Sequence, residues 1–302
     1  MSQREGMSHR EVNVTAIVIL SLRNCGLSKC LTRYLVAMAV ADLMVVIVAV
    51  IMHQINFIYL FANFLFVTPI CSVTFALQQV NTDCSVWFTV AFTVDRFIAI
   101  CCQKLQIKYC TVRTATVVIV AVGAVSCAQN GPFYFAVHPQ RCVASHEYMR
   151  APVWAAYRLF ENIMTPVLPF GLILIFNTLT VRHIVAVNRL RRKLRCKSEF
   201  KKDPEMEKRR KSVILLFALS ANFILTWTPQ VIYSMTLPKE NYSYTDKYFS
   251  TPMYILQQCG MMLKMLSTCT NTCIYGLTQR KFREELKKGA RYLLICNVKH
   301  LK

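Results

Sequence analysis

The chain has 302 residues, 55% hydrophobic and only 17% charged, where soluble domains carry about a quarter charged residues. Its apolar residues fall in blocks long enough to cross hydrocarbon, which excludes an ordinary soluble enzyme or binding domain. The net charge of +21 is clustered, so it marks the inner face of a membrane protein and not a nucleic-acid surface.

A crossing helix needs ~20 mainly apolar residues. The first apolar block, Val12 to Leu22, has about half that length and follows a polar segment, 1–11. It has the apolar core of a signal peptide but no small-x-small cleavage site after it, so it reads as a first helix lacking its outer half. Asn13-Val14-Thr15 has the form of a glycosylation sequon yet lies too near the membrane for use. Six further blocks reach spanning length, at 34–58, 71–102, 113–136, 152–181, 212–236 and 251–277.

The links between blocks alternate in charge. Residues 182–211 hold thirteen Lys or Arg against four acids, whereas 59–70 carry no charge. Basic links lie in the cytoplasm. The links 23–33, 103–113, 182–211 and the C-terminus are therefore inside, and 59–70, 137–151 and 237–250 outside. The expected fold is an all-α, seven-helix membrane bundle over 12–277, with an outer N-terminus (1–11) and an amphipathic helix and basic tail (278–302). Of fourteen cysteines, Cys71 and Cys142 face the oxidising side, and they form the expected disulfide. Asn241, in an outer link, begins a usable glycosylation sequon. Cys296, in the tail, is a palmitoylation candidate.

Polar residues inside the blocks are costly and are therefore the candidates for function. Asp42 is the single acid of "LVAMAVADLMVV", ~12 Å from the inner end. The third block holds only Asp83, Asp95 and Arg96 as charged groups. Asp95 lies ~36 Å along the helix from Cys71. That places the Asp95-Arg96 pair at the inner interface, where the Arg reaches water. In the sixth block, "FILTWTPQV" sets Phe223 and Trp227 beside Pro229, whose missing N–H makes a kink. In the seventh, Asn271 and Tyr275 share a face, and Lys264 lies deep in the membrane. Phe282 and Leu286 mark a short amphipathic helix whose basic residues suit anionic lipid.

Together these features resemble the rhodopsin-like (class A) G-protein-coupled receptors, over residues 12 to 288. The resemblance rests on Asp95-Arg96-Phe97 placed 24 residues after Cys71, on Asp42, on "FILTWTPQV", and on "NTCIYGLTQRKFREELKK". It implies a sodium ion held by Asp42, Ser85, Asn271 and Ser267, with no other cofactor. It also implies an inner switch of Asp95, Arg96, Phe97, Phe223, Trp227, Pro229, Asn271 and Tyr275. The chain departs from the family at Phe97 and Asn177, each in place of Tyr. Thr226 stands for Cys and Thr272 for Pro, the latter leaving a straighter helix. The fourth block lacks the family's Trp, while Pro169 in the fifth matches the family's proline. Glu207 is offset by two from the acid that clasps the arginine, so basal activity should be raised.

The ligand pocket implied by the resemblance lies between the outer halves of helices three, five, six and seven. Gln78 is neutral where amine receptors carry an acid. Arg158, Glu161, Asn162 and Lys264 supply polarity, and Gln230, Tyr233, Gln257 and Met261 complete the lining. Lys264 should pair with Glu161 or with a ligand carboxylate. Opposite charges suit a zwitterion, amino-acid-like or a short peptide, in keeping with a general resemblance to an orphan subgroup linked to aromatic amino acids. Lys264 is one position away from the retinal-bearing Lys of opsins, a ~100° turn, which argues against photoreception. The expected protein is a multi-pass receptor of the cell membrane, not an enzyme, with a heterotrimeric G protein and arrestin as partners. The alternative is an ion- or proton-coupled transporter using Asp42, Asp83, Glu161 and Lys264. Paired acids for an intramembrane hydrolase exist only as Asp42 and Asp83.

Overall fold

The computed structural model describes residues 13–22, 27–48, 69–136, 152–194, 204–236 and 252–288. The regular elements among them are helices. We number the crossing ones α1 Asn13–Leu22, α2 Lys29–Val45 with a wider turn to 48, α3 Ile70–Cys101 and α4 Val112–Asn130. Next come α5, Pro152 to Leu194 across a π turn at Ile163–Val167, then α6 Pro204–Thr236 and α7 Pro252–Thr278. A final helix, α8, spans 280–288. Cys142, Asn241, Cys296 and the N-terminal segment lie outside the described residues, as do the side chain of Glu207 and the outer links.

Helix starts follow local chemistry. Ser28 caps α2 by accepting from the Leu31 N–H at 3.3 Å, and Thr111 caps α4 by accepting from Thr114 at 3.2 Å. Several threonines are tolerated in apolar helices because the hydroxyl bonds the carbonyl four residues back, as at Thr82, Thr89, Thr93 and Thr180. Pro166 lacks an N–H, and α5 widens there into a π turn with Thr165 at φ −148°, ψ 92°. Helix α7 runs unbroken through Thr272, which stands in the place of a proline.

The helix ends differ from those expected. Helix α5 runs on to Leu194 and α6 begins at Pro204, so most of the basic link 182–211 is helical. Lys, Arg and Glu are good helix formers, and Pro is favoured at a first helical position. Among the described residues, five helices are both long and apolar enough to cross a membrane: Lys29–Val48, Ile70–Cys101, Val112–Phe135, Pro152–Leu190 and Val213–Tyr233. Helix α1 is shorter, and α7, although 27 residues long, is more polar. Both belong to the bundle by packing. Helix α7 lies against α6 and α2, and Asn13 of α1 is hydrogen-bonded to α7.

Helix α3 is the central rod, packed on α2, α4, α5 and α6. The inner core joins Leu31, Leu35 and Met38 of α2 to Phe88 and Phe92 of α3, Leu215 and Leu219 of α6, and Tyr275 of α7. Phe282 of α8 closes this core from below, its ring edge-on to Tyr275 at 6.1 Å. Leu286, one turn further along the same face, does not join it and is 38% exposed. The ion pairs Arg280–Glu284 and Lys288–Glu285 of α8 are exposed and contribute little to stability.

Candidate ligand pocket and inner switch

The outer part of the bundle collects three charges. Lys264 of α7 sits over the Trp227 ring, its Nζ 5.6 Å from the centroid, and interacts electrostatically with Asp83 of α3 and Glu161 of α5. Among the described residues no acid lies within ion-pair distance of it. The expected Glu161–Lys264 pair is therefore not made. Glu161 Oε1 instead accepts from Gln129 Nε2 at 3.0 Å, because the buried acid takes the nearer amide of α4. Asp83 Oδ2 likewise accepts from Asn130 Nδ2 at 2.6 Å. Asn130 Oδ1 and Thr165 Oγ1 are buried here without a hydrogen-bond partner; the threonine approaches Asp83 without reaching bonding geometry.

Beside these charges stands an aromatic wall. Phe133, Trp154 and Tyr157 meet with ring centroids 4.9–5.6 Å apart, and Phe75 flanks Phe133 at 6.3 Å. Tyr157 also donates to the Gln129 carbonyl at 2.9 Å. Gln78, Arg158, Asn162, Gln230, Tyr233 and Gln257 are half-buried. Met261, next to buried Gly260, is 47% exposed. That glycine lets α6 come close: a Cβ at 260 would stand 3.2 Å from Gln230 Oε1. Asp83, Gln129, Asn130 and the aromatic wall were not expected in the pocket. Asp83 was visible as a membrane acid, but its facing neighbours depend on how α3, α4 and α5 pack.

Below Trp227 lies a second polar network. Asp42, 1% exposed, accepts from Ser85 Oγ at 2.5 Å and from Asn271 Nδ2 at 2.9 Å. Ser267 is buried nearby, but no hydrogen bond joins it to Asp42. Asn13 is fully buried: its Nδ2 donates to the Thr268 carbonyl and its Oδ1 accepts from Thr272 Oγ1, both at 3.1 Å. Its sequon is thus closed to modification in the folded chain, and its role is to fasten α1 to α7. An Asn inside an apolar run was the signal, read only as a sequon. Asn13→Leu strands that hydroxyl and carbonyl, a cost of about 1–3 kcal/mol. A lowered melting temperature of the detergent-solubilised protein checks this, and an unchanged one refutes it.

At the inner end Arg96 closes on Asp95 through Nε at 3.0 Å and through a short contact from Nη2. Arg96 is 7% exposed, so it does not reach water as expected; with its charge closed on the adjacent carboxylate, the side chain stays inside the packed bundle. Two thiols complete the acid's surroundings. Cys30 Sγ donates to Asp95 Oδ1 at 3.2 Å, and Cys110 Sγ to its carbonyl at 3.6 Å. Burial and the Asp95 charge push the Cys110 thiol up to about 12, so it is a donor and not a thiolate at neutral pH. Phe97 packs on Phe176 of α5, centroids 5.3 Å apart, replacing a hydroxyl by ring contact. Phe223 stacks on Trp227 at 5.3 Å. Tyr275 is buried with its hydroxyl unpaired, and Asn177 is buried with its Oδ1 unpaired. Cys71 is buried and is not among the free thiols.

A helical bundle with three charges gathered above Trp227 and a closed Asp–Arg pair towards the other end of α3 has the layout of a membrane receptor. The family model described as 7 transmembrane receptor (rhodopsin family) matches residues 12–275. The chain belongs to that family. It is a multi-pass membrane receptor of the G-protein-coupled class, and the family is one of receptors and not of enzymes.

Proposed function

We propose that this receptor binds a small extracellular zwitterion, an amino acid or short peptide, and activates heterotrimeric G proteins by outward movement of the inner half of α6. The observation that carries the reading is Lys264, a cation over Trp227 that faces Asp83 and Glu161 yet has neither within ion-pair distance. A ligand carboxylate would take the lysine, and a ligand ammonium the two acids. The aromatic wall of Phe133, Trp154 and Tyr157 suits an aromatic side chain. Contact with Trp227 then reaches Phe223 through their stacked rings, and rotation about Pro229 frees Arg96 from Asp95. The N-terminus faces outward, Cys71 pairs with Cys142, and arrestin shares the inner cavity with the G protein. Cells expressing the full chain should respond to free aromatic amino acids or their dipeptides and not to N-acetylated amides. Silence towards all free forms in every second-messenger assay would sink the proposal.

Asp42, Ser85, Ser267 and Asn271 place oxygen donors around one buried carboxylate, which suits a hard cation such as sodium. Bound there, sodium would hold α2, α3 and α7 together in the closed arrangement. Replacing choline by sodium should therefore raise the melting temperature, adding ~1 kcal/mol once sodium reaches about five times its Kd. Asp42→Asn should remove the effect. An equal sodium response in wild type and variant refutes the site.

A transporter would need these acids in one path. Asp42 is bonded to Ser85 and Asn271, while Asp83 and Glu161 are bonded to Asn130 and Gln129, and no hydrogen bond among the described residues joins the two groups. The receptor reading stands ahead.

A further inference from the structure

The stretch of α6 above its basic foot is apolar except for a few polar side chains, and one of them, Asn222, reaches out of its own helix. Its Oδ1 accepts from Thr270 Oγ1 at 2.9 Å, and its Nδ2 donates to Asn271 Oδ1 at 3.4 Å. Asn271 in turn donates to Asp42, which also holds Ser85. An unbroken hydrogen-bonded chain thus runs from α6 through α7 to α2 and α3. The next residue, Phe223, carries the stacked contact with Trp227 beneath Lys264. One turn of α6 therefore bears both the ring that receives the pocket's signal and the amide that ties the helix to the Asp42 site.

We propose that Asn222 is a positioning residue, a polar latch that couples α6 to the Asp42 site and holds the bundle closed. The inference rests on the reading that α6 moves on activation. An amide in an apolar membrane helix gains from a partner on a neighbouring helix. Both partners of Asn222 are on α7, so swinging α6 outward separates the amide from both at once. The latch biases the equilibrium only by what the closed state gains over the open one. Two interhelical hydrogen bonds, one of them long, set that bias at about three- to tenfold in the closed-to-open ratio. Because Asn271 is shared, whatever fills or empties the Asp42 site also repositions the acceptor that Asn222 reaches. Through it, the site would influence a helix that does not touch the acid.

The test is a double-substitution cycle on the full-length chain, with Asn222→Leu, Thr270→Val and the pair together. Each single variant should raise ligand-free nucleotide exchange on a co-purified G protein about three- to tenfold. The double variant should rise no further than the larger single, since Asn222→Leu already breaks the bond that Thr270→Val removes. Sodium in place of choline should suppress exchange less in Asn222→Leu than in wild type, although Asp42 and Ser85 are intact; a merely structural loss of packing would leave that ratio unmoved. The same cycle read as melting temperature requires no G protein, and the two single shifts should there be non-additive. Unchanged exchange in both singles, or additive shifts in both readouts, overturns the latch. A wild-type chain that activates no G protein defeats the receptor reading itself, and the melting cycle then still decides whether the link exists.

Discussion

Lys264→Met is expected to weaken the response to a zwitterionic ligand by at least about 30-fold, while the chain still folds and reaches the cell surface. Methionine keeps the unbranched length of the lysine and its packing over Trp227 but removes the charge. Losing one partner of a buried, hydrogen-bonded charge pair costs about 2–5 kcal/mol, because the other charge is left desolvated. The discriminating measurement compares a free aromatic amino acid with its carboxamide. Wild type should prefer the acid strongly, and the variant should treat the two alike. Glu161→Gln should act on the opposite end, abolishing the preference for a free over an acetylated amine. The Gln129 contact survives that change as a hydrogen bond between amides. Unaltered potency in both variants would mean that the three charges serve packing alone.

Arg96→Ala should abolish G-protein activation and also lower stability by about 3–5 kcal/mol, a combination that packing loss alone does not produce. With the guanidinium gone, the Asp95 carboxylate is left 6% exposed with the Cys30 thiol as a donor, while the Cys110 thiol bonds the backbone carbonyl instead. Thiols are weak hydrogen-bond donors. They cannot stabilise an isolated carboxylate as the Arg does. If this account is right, removing both charges in Asp95→Asn with Arg96→Leu should restore most of the lost stability, because no charge is then stranded. Coupling should stay absent in both. Asp95→Asn alone should release the Arg and raise ligand-free exchange. Thermal denaturation beside nucleotide exchange separates these outcomes. A double variant no more stable than Arg96→Ala would remove the stranded-charge explanation.

The order of the helices and the costly polar residues they carry were legible in the sequence. Hydrocarbon makes each buried polar group expensive, so Asp42, Asp95, Arg96, Trp227 and Lys264 stand out against their neighbours without reference to packing. The helix ends were less legible, because charged residues such as those of 182–211 are as able to extend a helix as to form a link.

Partnership was decided by the tertiary structure. The sequence by itself defined seven apolar or half-apolar segments and a short set of costly residues on them. It could not establish that Glu161 would turn to Gln129 and leave Lys264 over Trp227, that Arg96 would be enclosed, or that Asn13 and Asn222 would bond to α7. Cost is local, set by one side chain and the solvent around it, and can be read along a chain. Which donor meets which acceptor depends on the rotation and approach of helices far apart in sequence, and only the packed bundle specifies those.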